Sequence, residues 1–73
     1  MAKLPVCSGR EVLKILAKLG YYQTRQHSSH IRLACPGRKS VTVPDYKNIS
    51  RGLLRKILRD AEISVEEFNK LLK

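Results

Sequence analysis

The sequence predicts an α+β fold in the order helix, three strands, helix, short helix, with a three-stranded antiparallel sheet covered on one face. Three observations carry that prediction. Residues 9–19, and again the stretch after Ser50, repeat apolar side chains at helical spacing behind a serine able to cap the helix. Between them, apolar and polar residues alternate from His30 onward, the signature of strands with one buried face. Tight turn signals, His27-Ser28-Ser29 and Pro36-Gly37-Arg38, separate the strands closely enough for an antiparallel meander. Laying both main helices on one face of the sheet is the simplest way to bury one face of every element. All 73 residues, 1–73, form a single domain of this kind.

Taken in order, residues 1–7 form a lead-in, with Pro5 keeping Leu4 out of the helical region. Ser8-Gly9-Arg10-Glu11 is a capping box, in which the Ser8 hydroxyl accepts from the Glu11 amide while the Glu11 carboxylate reaches back. Val12, Ile15, Leu16 and Leu19 make the apolar stripe, Arg10, Lys14 and Lys18 the opposite face, and Gly20 ends the helix. Tyr21 to Gln26 reads as the first strand, with Tyr21 in the core. In the second, Ile31, Leu33 and Cys35 face one side and His30, Arg32 and Ala34 the other. Val41 and Val43 alternate with Ser40 and Thr42 in the third strand, which Pro44 ends. Asp45 to Ile49 is a loop. Leu53, Leu54, Ile57, Leu58 and Ala61 are the stripe of the second helix, and Arg51, Arg55 and Arg59 recur four apart on another face. Ser64-Val65-Glu66-Glu67 repeats the capping pattern and opens the last helix, whose Phe68, Leu71 and Leu72 pack back.

Fifteen Lys and Arg against six Asp and Glu give a formal charge of +9. Thirteen of the basic residues but only two acids, Glu11 and Asp45, fall in residues 1–59. So lopsided a field favours a polyanion, and nucleic acid is the commonest in a cell. A metal site is not expected, because neither Cys7 nor Cys35 stands at zinc spacing with a histidine and no carboxylate pair adjoins His30. Both cysteines read as reduced thiols, which points to the cytoplasm. No apolar run approaches the ~20 residues of a membrane span, and no signal peptide is expected.

The chemistry concentrates in Arg25-Gln26-His27-Ser28-Ser29-His30-Ile31-Arg32-Leu33, which holds both histidines of the chain. Histidine changes charge near neutral pH and is the default proton-transfer group. With Ile31 and Leu33 buried, the period of two turns His30 and Arg32 outward together. Lys14, Arg51 and Arg55 lie on the basic helix faces and are candidate phosphate contacts, a role that would make binding fall steeply with salt.

Gly20-Tyr21, then Arg25, then Ser28-Ser29-His30 resemble the G-F-x-x-x-R-x-x-G-S-H signature of HicA-type toxins, small mRNA interferases of bacterial and archaeal toxin–antitoxin pairs. Val41-Thr42-Val43-Pro44 resembles the family's V-x-V-P, Gly52-x-Leu54-x-x-Ile57-Leu58-Arg59 its G-T-L-x-x-I-L-R helix, and Ser64 to Phe68 its tail. The likeness runs in order from Leu4 to Phe68.

The resemblance implies a fold like that of double-stranded-RNA-binding domains. It further implies an endoribonuclease without metal or other cofactor, whose essential histidine matches His30. His30 is then the general base on a ribose 2′-hydroxyl. Arg25, Ser29 and Arg32 would serve the bound RNA, Arg32 by stabilising phosphorane charge and Ser29 by fixing the turn. The implied partners are mRNA and a HicB-type antitoxin that covers the His30 face, the chain being a monomer when free. Two positions depart from the pattern, Ser28 in place of glycine and Leu53 in place of threonine. A glycine at 28 implies a positive φ, which serine adopts at some cost, so reduced activity is the expectation. The alternative reading is a non-catalytic RNA-binding module on the same fold.

Overall fold

The computed structural model describes residues 4–72; Met1 to Lys3 of the expected lead-in, and Lys73, lie outside the described residues. The element order is α1 (Gly9–Lys18), β1 (Tyr22–His27), β2 (His30–Cys35), β3 (Arg38–Pro44), α2 (Arg51–Ala61) and α3 (Val65–Leu72). The three strands form one antiparallel sheet in the order β1-β2-β3. This is the α+β arrangement the alternation and caps predict, and it is consistent with a fold of the double-stranded-RNA-binding type.

Local chemistry sets the helix boundaries. At α1 both bonds of the capping box form: the Glu11 amide donates to Ser8 Oγ at 3.2 Å, and the Ser8 amide donates to Glu11 Oε1 at 2.9 Å. The helix closes when the Gly20 amide donates to the Ala17 carbonyl and the Tyr21 amide to that of Leu16, a Schellman pair with Gly20 at φ 107°. Ser50 Oγ accepts from the Leu53 amide and Ser64 Oγ from the Glu67 amide, so each expected serine cap is in use. α2 ends in the same Schellman pattern, but with Glu62 in the left-handed position at φ 62°.

The core lies between the helices and one sheet face. Ile31 and Leu33 of β2 and Val41 and Val43 of β3 meet Val12, Ile15 and Leu16 of α1, Leu54 and Leu58 of α2, and Phe68 of α3. Phe68, Leu54, Leu16 and Val12 have no exposed surface. Tyr21 is buried as well, its hydroxyl donating to the Lys39 carbonyl at 2.8 Å. Ile49, placed in a loop by the sequence, is also core: its amide donates to the Cys7 carbonyl at 2.9 Å, which draws the loop under the lead-in. An isolated apolar residue in a loop has no period to betray it.

Coverage of the sheet is uneven. α2 packs along β3, and α1 packs against β3 and α3. β1 receives no such cover, and all six of its residues are exposed. The close approach of α1 to β3 depends on Gly9, where a Cβ would collide with the Pro44 carbonyl oxygen. The Gly9 amide also donates to the Tyr46 carbonyl at 2.8 Å, and Arg10 pairs with Asp45 at 3.5 Å. The start of α1 thus holds the segment 44–46, which in turn holds the turn before β2.

Candidate functional site

β1 reverses into β2 through Ser28 and Ser29 alone, with His27 and His30 paired across the strands. Ser28 has φ 58° and Ser29 is not positive, the sign pattern of a type II′ turn, which matches the twist of a hairpin. Glycine is the residue such a first central position favours, so the serine carries backbone strain there. Two hydrogen bonds brace it. The Asp45 amide donates to the Ser29 carbonyl at 2.7 Å, and Gln26 Nε2 donates to the Ser28 carbonyl at 3.3 Å.

The register then decides which side chains meet. Directly opposed residues of an antiparallel pair point to the same face, with Cβ atoms about 4.5–5.5 Å apart. His30 is opposed by His27, and Arg32 by Arg25 on β1 and Thr42 on β3. These five side chains line one depression of about 210 Å³ on the sheet face away from the helices. Two arginines directly opposed are unfavourable by themselves. Among the described residues the one ion pair is Arg10–Asp45, so neither Arg25 nor Arg32 has a carboxylate at pairing distance. A face that keeps paired arginines without an acidic neighbour is prepared for an external anion. A bulge between Gln23 and Arg25, where Thr24 Oγ1 donates to the Arg32 carbonyl at 3.3 Å, re-aims the upstream part of β1.

A second depression, of about 310 Å³, shares His30 and Thr42 with the first and runs between β3 and α2. Tyr46, Leu53, Lys56 and Asp60 contribute to it. The sequence offers Tyr46 as a base-stacking aromatic but singles out none of Leu53, Lys56 and Asp60 as a site residue. The available signal was that Leu53, Lys56, Ile57 and Asp60 recur at helical spacing on one face of α2, and that a helix following β3 can lie along that strand.

The other candidates stand elsewhere. Lys14 lines a groove between α1 and α3 with Glu11, Lys18 and Leu71. Arg51 and Arg55 are exposed on α2 and line neither depression at His30. Ser29 meets the site through its backbone carbonyl. Both cysteines are free; Cys7 is buried, and that burial, followed by the charge of Glu11, pushes its thiol pKa up. Among the described residues no group of three or more His, Cys, Asp or Glu could hold a metal ion. No helix among them is long and apolar enough to cross a membrane.

The fold defines the class: a small α+β domain of the double-stranded-RNA-binding type, here with an exposed basic sheet face that carries a histidine. The particular family follows from comparison. The model of the HicA toxin of bacterial toxin–antitoxin systems matches residues 9–63, most of the 73-residue chain, and the chain belongs to that family. It is thereby a toxin-family protein, for which a cognate antitoxin is implied. A comparison with curated proteins finds no match.

Proposed function

We propose that the chain is an endoribonuclease that cuts mRNA without a metal ion, with His30 as general base. The observation that carries this reading is the cross-strand grouping of His30 and His27 with Arg32 and Arg25 on the uncovered sheet face. His30 takes the proton of a ribose 2′-hydroxyl, and the 2′-oxygen attacks the adjacent phosphorus in line. Arg32 and Arg25 stabilise the charge that gathers on the phosphoryl oxygens. His27 protonates the leaving 5′-oxygen. Lys14, Arg51 and Arg55 hold more distant phosphates of the same strand, and a HicB-type antitoxin silences the toxin by covering the His30 face. The free toxin is a cytoplasmic monomer.

The test is His30→Ala. An exposed position at a strand end contributes little to the core, so stability should stay within about 0.5 kcal/mol. Cleavage should fall roughly 10²–10⁴-fold, the usual worth of a positioned acid–base group, while RNA binding persists. Products of the unmutated chain should end in a 2′,3′-cyclic phosphate or its opened form, and a 2′-deoxy nucleotide at the cut should block the reaction. Cleavage of that deoxy substrate at full rate would remove His30 from the role. A second reading, a non-catalytic RNA-binding module, draws on the strained Ser28. It predicts that the chain and its His30→Ala form slow growth equally and leave transcripts uncut.

A further inference from the structure

The larger depression at His30 has no task in the cleavage step. Its volume, about 310 Å³, lies at the lower end of the roughly 300–1,000 Å³ typical of ligand pockets, room for one flat heterocycle. Apolar surface comes from Leu53 and Ile57, and the half-exposed ring of Tyr46 stands beside it. Two charged groups share it, Lys56 and Asp60, one turn apart on α2. Asp60 is half-buried and makes no hydrogen bond or ion pair among the described residues, and the two are not paired with each other.

We infer that this cleft is a nucleobase subsite for guanine, taking the base next to the phosphate that His30 attacks; the inference rests on the ribonuclease reading. Position argues for a base, because His30 and Thr42 line both depressions and so divide the phosphate side from this one. Tyr46 and the apolar wall suit the two faces of a planar ring, and base–aromatic stacking is favourable for any base. The polar groups select. Guanine alone has two adjacent donors, N1–H and the 2-amino group, next to the O6 acceptor. The donors match the two oxygens of Asp60, and O6 matches the ammonium of Lys56. Adenine and cytosine set a single amino donor beside a ring-nitrogen acceptor, and uracil sets one N–H between two carbonyls. Each would leave a lone pair against the Asp60 carboxylate, an unmade and repulsive contact.

The test is an amide-shift titration of the intact chain with GMP, AMP, CMP and UMP, repeated with uncleavable 2′-deoxy oligonucleotides holding one guanine. GMP should move the amides of Thr42, Leu53 and Asp60 and bind roughly tenfold or more tightly than the other three, the discrimination one bidentate base contact supplies. Asp60→Asn should abolish that preference while the remaining spectrum keeps the folded pattern. Arg32→Ala should weaken the oligonucleotide but not guanosine, which carries no phosphate, separating recognition of the base from recognition of the strand. In cleavage assays, cuts should fall beside guanine for the unmutated chain and spread to other bases for Asp60→Asn. Equal affinity for the four nucleotides, an unchanged cut preference in Asp60→Asn, or a cleft that responds only to the antitoxin would overturn the assignment. Selective GMP binding by a chain that cuts no RNA would retire the ribonuclease reading and leave the subsite standing.

Discussion

At one end of β2 the chain reverses through Pro36 and Gly37, at the other through Ser28 and Ser29. The first turn has the residues its geometry wants. Proline fixes its own φ, and Gly37 supplies φ 80° with open space where a Cβ would stand, nothing lying within 4 Å. It would form in almost any context. The second asks a serine to hold φ 58° and is held from outside by the Asp45 amide on the Ser29 carbonyl, with a local bond from Gln26 to the Ser28 carbonyl beside it. Turn chemistry sets one end of the strand and tertiary contact sets the other. The braced end is the one that carries both histidines, as expected if local conflicts collect at functional sites.

The brace can be broken at its root. Gly9→Ala drives a methyl group into the Pro44 carbonyl, which side-chain motion cannot relieve because the Cβ has no rotamer to change and the atoms it meets are backbone. α1 must lift from β3, so stability should drop by about 1–3 kcal/mol, the usual cost of overpacking. Residues 44–46 should move with it, freeing the Asp45 amide from Ser29. Cleavage should therefore fall even among molecules that remain folded, although Gly9 is far along the chain from His30. Urea unfolding and cleavage measured well below the unfolding midpoint check both parts. Unaltered stability would mean that α1 does not rest on Gly9 at all.

The same contrast explains what the sequence made legible. The caps at Ser8, Ser50 and Ser64 and the alternation of Ile31 and Leu33 are local codes, and the structure uses them as written. The resemblance to a family with glycine at position 28 pointed to a positive φ, and Ser28 has one. What stayed hidden depends on through-space packing. The Thr24 bulge, the burial of Ile49 and the position of α2 along β3 have no short-range signature. The last of these assembles Tyr46, Lys56 and Asp60 beside His30, and it also leaves Arg51 and Arg55 outside that cleft. Spacing along a helix tells which residues share a face, not which neighbour the face meets.

Gly37→Ala should act on the unbraced turn alone. An alanine in the left-handed region costs about 1–2 kcal/mol, and the stiffer unfolded chain returns about 0.4–1 kcal/mol. A net loss of about 1 kcal/mol follows, with no change in cleavage per folded molecule, since the Cβ would touch nothing. Thermal unfolding beside a single-turnover assay would show it. Lost activity at full folding would tie this turn to the site and undo the contrast between the two ends.

Ser28→Gly is the smallest change and the sharpest probe. It removes left-handed strain but gives the unfolded chain a freer residue, which leaves a gain of about 0.5–1 kcal/mol. The gain sits at the low side because a serine hydroxyl can bond to nearby backbone and tolerates this region better than alanine does. The rate is the informative part. Ser28 already holds the positive φ that a glycine would hold, and Asp45 and Gln26 fix the carbonyls on either side of the reversal. The strain is then carried by stability rather than by displacement of His30. Cleavage per folded molecule should accordingly shift by less than roughly threefold, under about 0.7 kcal/mol of barrier. A rise of tenfold or more would show that the serine distorts the turn under load, and that the brace from residues 44–46 is too weak to set His30 by itself.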